Sequence, residues 1–471
     1  MKPSHESLQW KVVPGVALAL IAASWVATSC TENTPNVAVG EDQAQLDGGT
    51  TGTTDQPPAA CVLPERSKAV RYATKLVEEG EQIFRYDTFG DEAFWGDRLG
   101  LHKAIAGEKN GGVGLGVSPQ TALSVGLKVD SDALPRSLVE ALQKGEVDLS
   151  SPDTTLALLK LNAVVGVTGF FDGDRLKSVG IQCALCHSTV DDSLGAGIGK
   201  RRDGWANRDL NVGAIIALSP DVSPFSKLLM VSDDTVRSVL NSWGPGHFNA
   251  ELLLDGKAFK PDGTPAYTMM PSIFGLAGTS LHTYEGWGGV SHWNAFVANL
   301  LMGGQGTFFD PRLNDVEKFP VAARAGLGNV RNSKDLISSK LAALQLYQLA
   351  LAPPKPPAGS YDPLKASRGQ TVFEGKARCA TCHVAPTFME PGWPMHTAKE
   401  LGIDDFQSRR SPDNRYRTTP LAGLFSRAKG GFYHDGRFEK LDDVVNHYDE
   451  VFKLGLDAQE KGDLVEYLNS L

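Results

Sequence analysis

Two pentads constrain this chain more than anything else in it. Cys183-Ala184-Leu185-Cys186-His187 and Cys379-Ala380-Thr381-Cys382-His383 both read C-x-x-C-H, the attachment pattern of a c-type haem. The spacing has a mechanical reason. Cysteines at i and i+3 lie on one side of a helical turn, where two thioethers can grip a haem edge, and the histidine at i+4 offers an imidazole nitrogen to the iron. A zinc half-site would need a second ligand pair, and a thioredoxin-type dithiol does not put histidine directly after its second cysteine. Two pentads in one chain predict two covalently bound haem c groups. Cys183, Cys186, Cys379 and Cys382 are then the thioether positions, and His187 and His383 the proximal ligands.

Haem c attachment is an extracytoplasmic process, and the N-terminus agrees with it. Lys2 and Lys11 flank the start of an apolar run, residues 12–26, that is too short for a comfortable membrane span. The run ends in Ala27-Thr28-Ser29-Cys30, small residues before a cysteine, as at a lipoprotein cleavage site, although the usual leucine is missing. Residues 1–30 therefore read as a signal peptide of the lipoprotein type, with a lipid anchor at Cys30 and a periplasmic, membrane-anchored location; simple secretion is the alternative. Residues 31–61 are rich in Thr, Gly, Asp, Gln and Pro, and cannot bury enough apolar surface to offset their ordering entropy. They read as a disordered tether. Cys61 is left over as a free thiol, or as a partner for Cys30 where no lipid is added.

The 471 residues suffice for two or three domains with cores. A formal charge of -9 excludes nucleic acid as a partner, because nothing here could neutralise a row of phosphates. Lys200-Arg201-Arg202 is too short a basic run to change that, and reads as a solvated loop or a contact to haem propionates.

Helical periodicity covers residues 72–84, 133–145 and 154–165, with an apolar helix at 291–302. The most legible boundary is Ala352-Pro353-Pro354-Lys355-Pro356-Pro357-Ala358-Gly359, a polyproline-type connector. The remainder of the chain has the size of one cytochrome c domain. It opens with a helix at 364–373 and closes with Asp457-Ala458-Gln459-Glu460, an N-cap carboxylate with Glu three residues on. The expected fold is mainly α, with two cytochrome c-like haem domains, long loops and no large sheet. The first domain, residues 62–352, is enlarged by insertions; a linker at 353–361 leads to the C-terminal domain at 362–471.

Three C-terminal stretches are recognisable in order: Arg417-Thr418-Thr419-Pro420-Leu421-Ala422-Gly423-Leu424, Phe432-Tyr433-His434-Asp435-Gly436-Arg437-Phe438 and Leu441-Asp442-Asp443-Val444-Val445-Asn446-His447-Tyr448. Together they resemble the C-terminal half of the bacterial di-haem cytochrome c peroxidases and of MauG, over roughly the last hundred residues. Before the linker, Asn207-Arg208-Asp209-Leu210-Asn211 and His282-Thr283-Tyr284-Glu285-Gly286 echo the superfamily's first domain more faintly. The long segment before Cys183 is similar rather to enlarged relatives such as the rubber oxygenases.

In a helix starting at Leu441, residues Leu441, Val444, Val445 and Tyr448 share one face, so Tyr448 points inward and His447 lies to the side as a solvated residue. Tyr448 is then either a distal ligand of the second haem or a core aromatic. The resemblance supports the ligand, because peroxidases place Met there and MauG a Tyr. Met389, Met395 and His396 are rival ligands. For the first haem the candidates are His247, His282, His292, Met269 and Met270, each equally readable as structural. The inference is an open or weakly ligated first iron.

The resemblance further implies catalytic roles for Asn294, as a distal amide, and for Tyr284 or Trp287, at the place of an inter-haem electron relay. Trp287 and Trp293 read equally well as core packing. No carboxylate stands where the superfamily has its distal Glu, near Asn294 and residues 302–305. The expected function is a di-haem oxidoreductase in which electrons pass through the C-terminal haem to a peroxide- or O2-reactive N-terminal haem. It would be served by a redox partner protein or a quinol-linked donor. The alternative from another class is an electron carrier with both irons six-coordinate; a third reading is an oxygenase of the rubber-cleaving kind. Ca2+ between the domains is implied by resemblance alone, since no loop has EF-hand spacing.

Overall fold

The computed structural model describes residues 64–471. The expected signal peptide and tether, with Cys30 and Cys61, lie outside them. Helices dominate, as expected, and strands occur only as five two-stranded ladders among the described residues. No helix among the described residues is long and apolar enough to cross a membrane.

The first helix, Pro64–Tyr86, extends the periodic stretch at 72–84 in both directions. It packs against Leu341–Ala350, and Gly80 permits the approach: a Cβ there would sit 2.1 Å from the Ala343 carbonyl oxygen. Phe84 meets Tyr347 at 5.4 Å between ring centroids, and the Tyr347 hydroxyl donates to Asp203 (2.6 Å), which also pairs with Arg85 (2.5 Å).

The next two expected helices are present as Arg136–Gln143 and Pro152–Lys160. The second starts on a Ser151 cap with Pro152 at its first turn, and stops short of Val165. Asn162 adopts a left-handed φ of 52°, and the backbone beyond it bonds to the strand segment around Val129 instead of continuing the helix. Immediately before the first pentad lies an antiparallel hairpin, Val167–Asp172 with Arg175–Ile181, turned at Gly173. The apolar helix at 291–302 appears as Val290–Phe296 running into a π-helical turn, Val297–Leu301.

Beyond the Pro-rich stretch, Pro363–Glu374 starts on Asp362, whose carboxylate accepts from Leu364 and Lys365 N–H. Ala458–Ser470 starts on the expected capping box of Asp457 and Glu460. These two helices pack together at Gly369, where a Cβ would sit 1.9 Å from the Asp463 carbonyl oxygen, and Arg368 grips the Asp463 carboxylate at 2.7 and 2.6 Å. Of the four apolar clusters, three draw only on residues before the Pro-rich stretch, and the one built on Phe373, Phe432, Leu464 and Leu468 only on residues after it. Polar contacts cross between them: Met269 N–H donates to His434 O (2.6 Å), Arg417 N–H to Tyr284 O (2.9 Å), and Arg410 is buried against Asp255.

Candidate haem centres and a buried carboxylate pair

Both pentads adopt the turn their spacing calls for. Cys183 has helical φ and ψ and leads into Ala184–His187, with His187 N–H donating to Cys183 O (3.2 Å). The turn's free carbonyls are used: Cys186 O accepts from Asn207 N–H (2.9 Å) and His187 O from Gly204 N–H (2.8 Å). Gly166 packs so closely under this turn that a Cβ would lie 2.2 Å from Leu185 Cα. In the second pentad, Cys379–Thr381 is a 3₁₀ turn, and His383 N–H donates to Cys379 O (2.9 Å).

The two histidines are oriented alike. His187 Nδ1 donates to Pro271 O (3.0 Å) and His383 Nδ1 to Phe388 O (2.8 Å), which leaves Nε2 as the metal-binding nitrogen in each. Burial drives the His187 pKa down to about 4, so the ring is neutral and its lone pair available; burial lowers His383 in the same direction. Burial also pushes Cys183 and Cys186 up to about 12 and Cys379 to about 11. Thiols that keep their protons are poor zinc ligands and poor redox dithiols.

The first pentad lines a cavity, partly open to solvent, with about 1680 Å³ of space free of protein atoms. Its wall is mainly aliphatic and aromatic, with Trp95, Val236, Leu240 and Trp293 among the contributors. Of the expected distal groups it includes Met269 and Met270, it also includes the relay candidate Tyr284, and His187 is the one histidine among the described residues that line it. His247 stacks on Tyr267 at 3.9 Å between centroids, His282 pairs through its backbone with Gly288, and His292 bonds to Asp310 (3.1 Å).

Two carboxyl groups that sequence reasoning did not place here are on the same wall. Glu251 and Glu285 are 4% and 3% exposed, and both line the cavity. Each carries an oxygen, Glu251 Oε2 and Glu285 Oε1, with no hydrogen-bond partner in the protein. Burial and mutual repulsion hold Glu285 protonated up to about pH 8, and burial raises Glu251 as well. Gln407 lies beside both. This pair comes from sequence positions other than those where the resemblance seeks its distal Glu. Residues 302–305, where the superfamily's Glu was sought, serve the backbone instead: Met302 O accepts from Trp95 Nε1 (2.7 Å) and Gln305 Nε2 donates to Gly90 O (3.2 Å).

Around Tyr284 three arginines converge, Arg208, Arg417 and Arg427, all within electrostatic reach of its phenol. Burial lowers Arg417 and Arg427 to about 10. Arg208 Nε and Nη1 and Arg427 Nε are buried and donate to nothing in the protein, and Glu285 is the carboxyl that bears on Arg417. Buried cations with idle donors favour an anion beside them. A haem brings two carboxylates, so the cavity, the neutral His187, the paired thiols and these donors together fit haem c.

At the second pentad, Tyr448 is half-buried on the helix Leu441–Phe452, stacked on Phe452 at 5.5 Å and beside Tyr433 at 6.1 Å, within electrostatic reach of Cys379 and Cys382. His447 is not solvated as expected, because its Nε2 bonds to Leu401 O (2.8 Å). His396 Nε2 bonds to Glu390 (2.6 Å), which also accepts from Thr418 (2.5 Å), and a Cys382 sulfur, a Glu390 oxygen and a His396 nitrogen lie within 4.8 Å of one another. Met389 accepts from Thr279 (3.1 Å), and Met395 packs on Gly286. Asn294 donates to Gln348 (2.9 Å) and Trp287 is 1% exposed in an aromatic cluster with Trp293, Phe296 and Phe319. The structure thus brings Tyr284 to the first pentad's cavity, and holds Asn294 and Trp287 in packing and hydrogen bonds of their own.

No family model matches the chain. Among characterised proteins it is similar to the methylamine utilization protein MauG of Methylorubrum extorquens, 30% identical over 122 residues, which is 22% of this chain and 34% of that protein. The chain thus matches about a third of that relative's length. Two solved structures overlap it locally, each over 46% of this chain and 76% of the other at 18% identity: a hydrazine synthase of Kuenenia stuttgartiensis (TM-score 0.29) and a MauG-like protein associated with microbial copper homeostasis (TM-score 0.26). At those scores neither overlap bears on the fold. Over the matched 122 residues the chain is similar to MauG, and this similarity supports the resemblance to the MauG and di-haem cytochrome c peroxidase superfamily.

Proposed function

We propose that this protein is an extracytoplasmic di-haem c-type oxidoreductase, with His187 and His383 as proximal ligands and the first pentad's cavity as the place where peroxide or O2 reacts. The N-terminal haem domain would run from residue 62 to 352 and the C-terminal one from 362 to 471. Electrons would enter from a redox partner at the C-terminal haem, and a lipid at Cys30 would hold the body at a membrane. The observation that carries the reading is the Glu251/Glu285 pair on the cavity wall that also holds Cys183, Cys186 and His187. A pure carrier has no use for two uncompensated carboxyls there, whereas oxygen chemistry needs a proton source.

Bound haem supplies the iron through which electrons reach the oxygen species; the chain's own residues supply the rest. Glu285 holds a proton at neutral pH and can release it into the cavity, and burial raises Glu251 beside it in the same direction. The apolar wall limits bulk water. Tyr284, between this cavity and the arginines, is placed to pass electrons without holding a net charge of its own.

The acid role also fixes the sign of the pH dependence. It requires the carboxyl form, so turnover falls as pH rises through about 8. The test is low-temperature electron paramagnetic resonance of the oxidised and half-reduced holoprotein, with peroxide turnover of Glu285→Gln. We expect a high-spin ferric signal from one haem, and a loss of about 10²-fold or more in turnover without loss of haem. Two low-spin haems in both redox states would overturn the enzyme reading in favour of an electron carrier.

A further inference from the structure

Arg410 belongs to a segment far along the chain, yet its guanidinium sits behind the carboxylate pair. It is 1% exposed and arrives from the 3₁₀ turn Ser408–Arg410, well beyond the second pentad. Its hydrogen bonds go to groups other than the two glutamates. Nε donates to Asp255 Oδ2 (2.8 Å), Nη2 to Asp255 Oδ1 (3.0 Å), to Asn249 Oδ1 (2.8 Å) and to Lys257 O (3.2 Å). Nη1 reaches Gln407 Oε1 at 3.5 Å and lies 3.9 Å from Glu251 Oε2, too far for a hydrogen bond.

The charges can be balanced group by group. Arg410 is one buried cation facing three buried carboxyls, Asp255, Glu251 and Glu285. The fork geometry matches Asp255, so that carboxylate takes the charge. Lys257 approaches Asp255 only to 4.0 Å and is half exposed. On its other side Glu285 faces Tyr416 and Arg417, and Arg417's charge is shared with Tyr284. What reaches Glu251 is a residual field that opposes, without cancelling, the effect of its burial.

We propose that Arg410 is a positioning residue for the reactive cavity: held by Asp255 and Asn249 with its guanidinium just out of hydrogen-bond reach of Glu251, it sets the proton affinity of the Glu251/Glu285 pair. This rests on the reading of that pair as the cavity's proton source. Because Arg410 is delivered by the segment C-terminal to the second pentad, any shift of that segment would change the proton affinity of the first pentad's cavity. A guanidinium turned fully toward Glu251 would ionise the pair; none at all would leave both members neutral over a wider pH range.

The test is infrared pH titration of the protonated-carboxyl band in the di-haem holoprotein, assigned by its loss in Glu285→Gln and Glu251→Gln. Asp255→Asn removes a negative charge without changing shape and should move the midpoint down by about one pH unit or more; Arg410→Gln should move it up by a similar amount. Where Arg410→Gln fails to fold, because Asp255 is left buried and unpaired, the double variant Arg410→Gln/Asp255→Asn carries the test: it removes both charges and should titrate close to the wild type. Opposite shifts cancelling in the double variant are not what general loosening produces. A band that disappears in Glu285→Gln but keeps its midpoint in Asp255→Asn overturns the role of Arg410. A band unaffected by either glutamate substitution overturns the pair itself.

Discussion

Tyr448 illustrates how much a single residue's role depends on what surrounds it. Heptad-like spacing from Leu441 turns it inward, and the structure keeps it half-buried, with its phenol raised by burial and close to Cys379 and Cys382. Phe452 stacks on the ring and Tyr433 lies beside it, so the ring is held whether or not the oxygen has a role. Tyr448→Phe separates the two. Loss of only the hydroxyl preserves the stack, and if the oxygen ligates iron the low-spin resonance of one haem shifts. We expect that shift; an unchanged spectrum with a stability loss of about 1 kcal/mol would return Tyr448 to the core. The carboxylates make the complementary point. Glu251 and Glu285 stand 34 positions apart in sequence, in no motif that carries acid chemistry. Their significance comes from burial and from each other, neither of which a linear pattern contains. Asn294, by contrast, had a motif-level argument, and its side chain is engaged with Gln348.

Among elements, helix pairing through glycine is where small changes should have large effects. Gly369 in Pro363–Glu374 lies against the Asp463 carbonyl, with 1.9 Å available for a Cβ, whereas Gly462 in Ala458–Ser470 has open space around it. Helix propensity favours alanine at both by about 1 kcal/mol. Gly462→Ala should therefore raise stability by about 0.5–1 kcal/mol, while Gly369→Ala should lower it by about 1–3 kcal/mol, because overpacking outweighs propensity. Denaturant unfolding of the holoprotein checks both signs, and a gain at Gly369 would mean that the two helices are free to separate. Elements with caps were the legible ones: Asp457 with Glu460, and the run after Asp362, start where their sequence says. The hairpin before the first pentad was not. Its first strand, Val167–Asp172, is half-buried along most of its length, so no alternation of apolar and polar residues marks it. Asn162 likewise ended a periodic stretch by taking a left-handed conformation that its neighbours' hydropathy does not announce.

For the molecule as a whole, the apolar clusters divide at the Pro-rich stretch while polar contacts bridge it. This division predicts that the haems load independently. Cys379→Ser/Cys382→Ser should contain one haem per chain instead of two, lose the low-spin signal and keep the high-spin one; Cys183→Ser/Cys186→Ser should do the reverse. Haem content by pyridine haemochromogen absorbance and mass spectrometry checks this. Loss of both haems from either variant would mean that the two halves are built as one cooperative unit.

The covalent plan was set locally. A C-x-x-C-H pentad needs only one helical turn to bring its three side chains to one side, and both turns formed as their spacing requires. Helix caps are also short-range properties, and they could be read for the same reason. Tertiary structure decided the environment of those groups. It placed Pro271 and Phe388 carbonyls on the histidines, gathered three arginines, two of them with idle donors, around Tyr284, and buried Glu251 and Glu285 on the wall of the first pentad's cavity with Arg410 close to Glu251. Each of these depends on desolvation and on the distance between charges far apart in the chain, and such energies exist only once the chain has folded.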